Sequence, residues 1–166
     1  GSNLGNDILY SGTMGAALQG YFRGIPSLAL SVTSIKEARF DVAAPLARAL
    51  APLMLRQRVF RHILLNVNVP NEPLENIAGV EITRLARRRY ADRVKVGNDG
   101  RRDYVWIARG TPKWEVEEGT DIWAIRNKRI SISPIWTDLT EAAALPKLRR
   151  ARAAARRALG LRRSYK

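Results

Sequence analysis

Three adjacent residues near the start of the chain have the types and spacing to hold an anion: Ser11, Gly12 and Thr13. They close the stretch Gly1-Ser2-Asn3-Leu4-Gly5-Asn6-Asp7-Ile8-Leu9-Tyr10-Ser11-Gly12-Thr13, which runs into the apolar-periodic segment Met14 to Phe22. Six of the twelve glycines fall in the first 24 residues, which predicts a tight loop feeding a helix N-terminus. Ser11 and Thr13 can cap that helix, and Gly12 lets a ligand approach the backbone. Unpaired N–H groups and the positive end of the helix dipole suit such a place to a phosphate or carboxylate. Taken alone, the same three residues describe an ordinary helix cap.

Composition removes several other chemistries. There is no cysteine, so there is neither a disulfide framework nor a thiolate site, and a cytoplasmic location fits. His62 is the only histidine, which excludes a histidine-built metal site within one chain. No run is long and apolar enough to span a membrane. The net charge of +14 is unevenly spread. Residues 147–166 hold nine Lys/Arg and no Asp/Glu, so they carry +9, and the remaining 146 residues carry +5.

The elements that would position the helix start follow from hydrophobic periodicity. Met14, Ala17, Leu18, Tyr21 and Phe22 predict a helix from about Ser11 to Arg23, with Gly15 and Gly20 placed for close packing on a sheet. Ser27 to Val32 reads as a buried strand of a parallel sheet. Phe40 to Met54 repeats at helical spacing, with Pro45 and Pro52 predicting a late start, a kink or a split. Ile63 to Val69 is a second strand. This helix–strand alternation predicts an α/β layer arrangement. Beyond Pro70, β-rich runs are expected at Gly79–Leu85, Arg93–Val96, Tyr104–Ala108, Ile122–Ile125 and Arg129–Ile135. Asn98-Asp99-Gly100 marks a turn, and all four tryptophans lie between Trp106 and Trp136. Glu141 to Leu159 is a last helix, rich in alanine and arginine.

Six segments carry a resemblance: Gly1 to Gly20 followed by Gly24-Ile25-Pro26-Ser27-Leu28-Ala29-Leu30-Ser31, then Leu65 to Pro70, Thr83 to Tyr90, Tyr104 to Ile107, Thr120 to Ile125 and Ile130 to Thr140. In these segments and in their order the chain resembles the SurE (survival protein E) nucleotidase family. The resemblance covers roughly residues 1–148. It implies an incomplete three-layer, Rossmann-like α/β core followed by a β-hairpin arm and a C-terminal helix. In segments, residues 1–78 would be the C-terminal part of the nucleotidase core. Residues 79–139 would be a β-rich arm and oligomerisation region, and 140–166 a C-terminal helix and basic tail.

The activity it implies is metal-dependent hydrolysis of nucleoside 5′- and 3′-monophosphates, with Mg²⁺ or Mn²⁺ as cofactor and phosphatase-type chemistry. Other copies of the chain are the implied partners, as homodimer or homotetramer through the arm and terminal helix. In the family the metal is held by an Asp-Asp pair, a serine and an asparagine of a Ser-Gly-hydrophobic-Asn motif. All of these would lie upstream of Gly1, so no metal ligand is expected on this chain. The chain is expected to be the back portion of a larger enzyme and inactive alone. What the resemblance leaves here is phosphate binding by Asn3, Ser11, Gly12 and Thr13, with the Asn3 amide on the phosphate or on a metal-bound water. The alternative is a non-catalytic basic module of the same descent, binding nucleic acid or serving as an assembly subunit.

Other residues invite chemical readings but carry plainer ones. Asp7 is expected to be structural or to support the site from behind. His62, Asn66 and Asn68 are expected to hydrogen-bond near strand ends. Arg84 and Arg87-Arg88-Arg89 are read as a solvated or partner-facing charge run. Trp106, Trp123 and Trp136 are read as core or interface anchors. The arginines of the tail are either a solvated extension or a non-specific contact for nucleic acid or an anionic membrane surface.

Overall fold

A computed structural model describes residues 1–56, 62–89, 93–108 and 113–161. In chain order the elements are a 3-10 turn Gly5–Tyr10, α1 Gly12–Tyr21, β1 Ser27–Val32, α2 Ala43–Arg56, β2 Leu64–Val69, β3 Gly79–Ile82 and β4 Arg88–Arg89. Then come β5 Arg93–Asn98, β6 Asp103–Ala108, β7 Lys113–Trp114, α3 Asp121–Arg126, β8 Arg129–Ile135, a 3-10 stretch Ala142–Leu148 and α4 Arg149–Ala158. Two compact units result, residues 1–135 and 136–166.

The core of the first unit is a four-stranded sheet in the order β1-β2-β8-β3. β1 and β2 are parallel, β8 is antiparallel to β2, and β3 is parallel to β8. Strand alternation sorts its side chains cleanly onto two faces. Leu65, Val67 and Val69 of β2, with Ile130 and Ile132 of β8 and Val32 of β1, bury their side chains with Ala43 and Met54 of α2. On the other face, Ala29 and Leu64 pack with Ile8 and with Met14 of α1. Helices therefore cover both faces, giving the α/β three-layer arrangement expected from the pattern. Burying each large apolar side chain here contributes roughly 1.5–3 kcal/mol.

Local chemistry explains most element boundaries. α2 starts late, at Ala43, so Pro45 falls in its first turn, where a missing N–H costs no helical bond. Of the two glycines inside α1, Gly20 is needed for packing: a Cβ there would stand 2.6 Å from Ser27 Oγ. Gly15 faces open space instead. The stretch Ile122–Ile125, expected as a strand from its β-branched and aromatic residues, is α3. Thr120 caps it, its hydroxyl accepting from Trp123 N at 3.3 Å, and Asp121, Ile122 and Ala124 are buried. Local capping together with burial overrides the strand propensity.

The strand-rich stretch after residue 78 divides between two structures. β3 and β8 join the core sheet, while β5 and β6 pair as a separate antiparallel hairpin. Its turn is the expected one: Asn98 Oδ1 accepts from Gly100 N at 2.7 Å, and Asp99 Oδ1 accepts from Arg101 N and Arg102 N at 2.8 and 2.7 Å. In the second unit, Pro146 interrupts the alanine-rich run, which begins as a 3-10 stretch and becomes α-helical only from Arg149.

Candidate functional site

The helix start Ser11-Gly12-Thr13 is formed and open. Ser11 is the N-cap of α1, its Oγ accepting from Met14 N at 3.1 Å and its carbonyl from Gly15 N at 2.9 Å. The two N–H groups before Met14, those of Gly12 and Thr13, have no partner among the described residues. Gly12 and Thr13 are both exposed. A Cβ built on Gly12 would meet nothing within 4 Å, and no positive φ demands glycine there. Neither crowding nor backbone strain accounts for this glycine.

The position of α1 follows from its ends. Gly20, near its C-terminus, lies against Ser27 at the start of β1. The helix therefore runs back along β1 and its N-terminus lies toward the carboxyl ends of the parallel strands. Ligands of open α/β sheets bind on that side. Gly1 lies there too, since a Cβ on it would stand 3.2 Å from Cγ1 of Ile35 just beyond β1.

The loop before the helix is pinned by a buried polar face that the sequence reading did not assemble. Asn66 and Asn68 of β2, Ser31 of β1, and Ser131 and Ser133 of β8 point to the α1 side of the sheet and are buried. Asn68 grips the backbone of Asn3 twice: its Oδ1 accepts from Asn3 N, and its Nδ2 donates to Asn3 O, each at 2.8 Å. Asn66 Nδ2 donates to the same carbonyl at 2.8 Å. Thr83 bridges Ser131 and Ser133 at 2.8 and 2.7 Å. Asn66 and Asn68 thus lie within the sheet and act on backbone rather than closing a strand end. Asn66 Oδ1 is the one buried side-chain polar atom among the described residues that lacks a partner.

Asn3 is itself buried, with its Nδ2 donating to Ser31 Oγ at 2.5 Å. One of its two amide hydrogens is therefore used inside the fold. Leu4 follows, buried with Ala86 and Ile122. Gly5 then turns the chain at φ +52°, a left-handed conformation that favours glycine. Its N–H donates to Asp121 Oδ2 at 2.6 Å. Asp121 is fully buried at the first turn of α3, and its Oδ1 accepts from Ala86 N and Ile122 N at 2.8 Å each. Burial pushes this carboxyl above the usual 3.8, while the N–H groups of Gly5, Ala86 and Ile122 pull it back. From Asn3 to Ser11 the loop is fixed at several points, so the exposed helix start is held ready.

Asp7 sits in the 3-10 turn, His62 is exposed ahead of β2, and Trp123 is half-buried in α3. Trp106 and Trp136 are exposed and anchor no core. Arg84 is ion-paired with Glu117, and both line a small cavity with Arg87 and Glu115. Among the described residues no group of three or more His, Cys, Asp or Glu could hold a metal ion. No described helix is long and apolar enough to cross a membrane.

Residues 1–92 match the family described as Survival protein SurE. The chain is 42% identical over 156 residues to a 5′-nucleotidase SurE from Polaromonas sp., covering 88% of this chain and 60% of that one. It is 46% identical to the Desulforudis audaxviator 5′-nucleotidase SurE, covering 90% and 59% respectively. The crystal structure of the SurE protein from Aquifex aeolicus superimposes with a TM-score of 0.76 at 35% identity, covering 92% of this chain and 62% of that one. The chain thus spans about three fifths of the length of these relatives. A family match over more than half the chain, with this identity and this fold, establishes that the chain belongs to the SurE family.

Proposed function

We propose that the whole protein is a phosphomonoesterase that hydrolyses nucleoside 5′- and 3′-monophosphates, and that residues 1–166 supply its phosphate-holding side. One observation carries this reading: the unpartnered N–H groups of Gly12 and Thr13 at an exposed helix start, beside a glycine the fold does not require. Relatives named 5′-nucleotidase SurE support the choice of substrate class. The two N–H groups and the helix dipole would bind phosphate oxygens and stabilise negative charge growing on them during attack. Ser11 fixes the helix end, and Asn3 and Asp121 hold the loop that leads to it.

We assign the divalent ion implied by the resemblance, Mg²⁺ or Mn²⁺, to other parts of the whole protein. The test is phosphate release from a panel of nucleoside monophosphates, comparing the whole protein with the 166-residue chain. Release by the whole protein alone is the expected result. Release by neither would favour a non-catalytic module, and release by the short chain would refute this division of the site.

Self-association is part of the same proposal. The β5–β6 hairpin exposes Val94, Val96, Val105 and Trp106, each more than 60% accessible. Val96 and Val105 face each other across the ribbon, so the valines form one apolar strip. A lone two-stranded ribbon is marginal in water, and an uncovered strip of this kind marks an interface. We assign it to a second copy of the chain. Replacing Val96 and Val105 with lysine is expected to reduce the assembly to monomers by light scattering. An unchanged mass would show that the hairpin does not hold the copies together.

A further inference from the structure

The last described helix has chemistry that phosphate-ester hydrolysis does not use. α4, Arg149–Ala158, carries five arginines in ten residues, and no Asp or Glu follows Glu141 anywhere in the chain. At about 100° per residue, Arg149, Arg150, Arg152, Arg156 and Arg157 share one side of the helix, while Ala151, Ala154, Ala155 and Ala158 share the other. Arg149, Arg150, Arg152 and Arg157 are exposed and make no ion pair among the described residues.

This arrangement works against the helix in the absence of an anion. Arg149, Arg150 and Arg152 crowd the first turn, where the dipole favours negative charge, and no acidic residue lies there. Arg149 with Arg152, and Arg152 with Arg156, are like-charge pairs at repelling spacings. A polyanion along this face would relieve both costs. Beside the same arginines is an open surface cavity of about 410 Å³, lined by Leu145, Pro146, Leu148, Arg149 and Arg152, with both leucines themselves exposed. Apolar side chains next to two arginines fit a base lying beside its own phosphate. The opposite face is only alanine, with too little apolar bulk to enter a bilayer.

We propose that α4 is a docking surface for single-stranded nucleic acid, its arginines on successive phosphates and an unstacked base in the Leu145–Leu148 cavity. Guanidinium forks suit phosphate oxygens, and an unpaired base is available only in a single strand. The surface shares no residue with the helix start of α1, and its ligand needs no terminal phosphate.

The test uses the whole protein and a short, end-labelled oligouridylate without a terminal phosphate monoester, which the phosphatase site would not register. With about four phosphates engaged, affinity should fall roughly 50-fold between about 50 and 200 mM salt. The triple variant Arg149→Gln, Arg152→Gln, Arg157→Gln keeps good helix formers and should lose at least about tenfold in affinity, with a salt slope shallower by about two. An abasic strand of equal charge should bind roughly tenfold more weakly than oligouridylate. Circular dichroism of the triple variant checks that helix content is kept. Equal binding by that variant, no binding at low salt, equal binding of the abasic strand, or preference for phosphatidylglycerol vesicles over the oligonucleotide would each overturn the proposal.

Discussion

Replacing Asp121 with asparagine is expected to cost about 3 kcal/mol of stability, and replacement with alanine more, because buried N–H groups are left unpaired. One Asp121 oxygen serves Gly5 N and the other serves both Ala86 N and Ile122 N. Asparagine keeps one acceptor oxygen, so its amide must turn a donor toward either Gly5 or the Ala86–Ile122 pair. Alanine abandons all three. Against a typical total of about 5–15 kcal/mol, either loss is a large share. The damage is also local, since Gly5 is the turn between the clamped Asn3 and the 3-10 turn that leads to α1.

The same residue gives a pH signature of known sign. Burial raises the Asp121 carboxyl above 3.8, so the folded state holds its proton to higher pH than the unfolded chain does. Its ionisation therefore takes stability away as pH rises from 3.8 through the raised value, after which the effect is constant. The exposed Asp41, Asp99 and Asp138 and the half-buried Glu72 are carboxylates shifted down by their partners, and they act in the opposite direction. The wild-type minus Asp121→Asn difference isolates the buried group. Denaturant titrations from acid to neutral pH should show that difference shrinking as pH rises and then levelling. A difference that grows with pH would mean that the hydrogen bonds outweigh burial.

Gly12 gives the second large effect, and here stability and turnover should part. Nothing surrounds a Cβ at Gly12, and α1 begins there. Alanine should leave stability unchanged or raise it by about 0.5 kcal/mol, through lower backbone entropy in the unfolded chain. A methyl at the mouth of the helix start is nevertheless expected to hinder a phosphate's approach to the Gly12 and Thr13 N–H groups. Alanine removes no N–H, but keeping the phosphate from donors of this kind is expected to cost roughly 100-fold in turnover. A residue kept only for the fold would not separate the two measurements in this way.

Much of the frame was legible in the sequence because it rests on local pattern. β1 and β8 match their apolar runs residue for residue, and Ser11 caps α1 as its type suggests. α3 was not legible, because Ile122, Trp123 and Ile125 favour a strand until Thr120 and burial decide otherwise. The clamp beneath the site was half visible: the alternation in Leu-Leu-Asn-Val-Asn-Val places Asn66 and Asn68 on one face of β2. What they hold could not be read, since Asn3 is more than sixty residues away in sequence. Asp121 was hidden for the same reason, because its bond to Gly5 spans 116 residues. Periodicity reports which face a residue occupies, and it is silent about the loop that comes to rest on that face.

The measurement closest to the central claim is the steady-state rate of phosphate release from a nucleoside monophosphate by the whole protein carrying Gly12→Ala, taken together with its unfolding midpoint. A kcat/KM lowered by about two orders of magnitude with an unfolding midpoint at or above wild type is the result that this account predicts. Wild-type kinetics in a folded variant would contradict it, and would place the phosphate somewhere other than the start of α1.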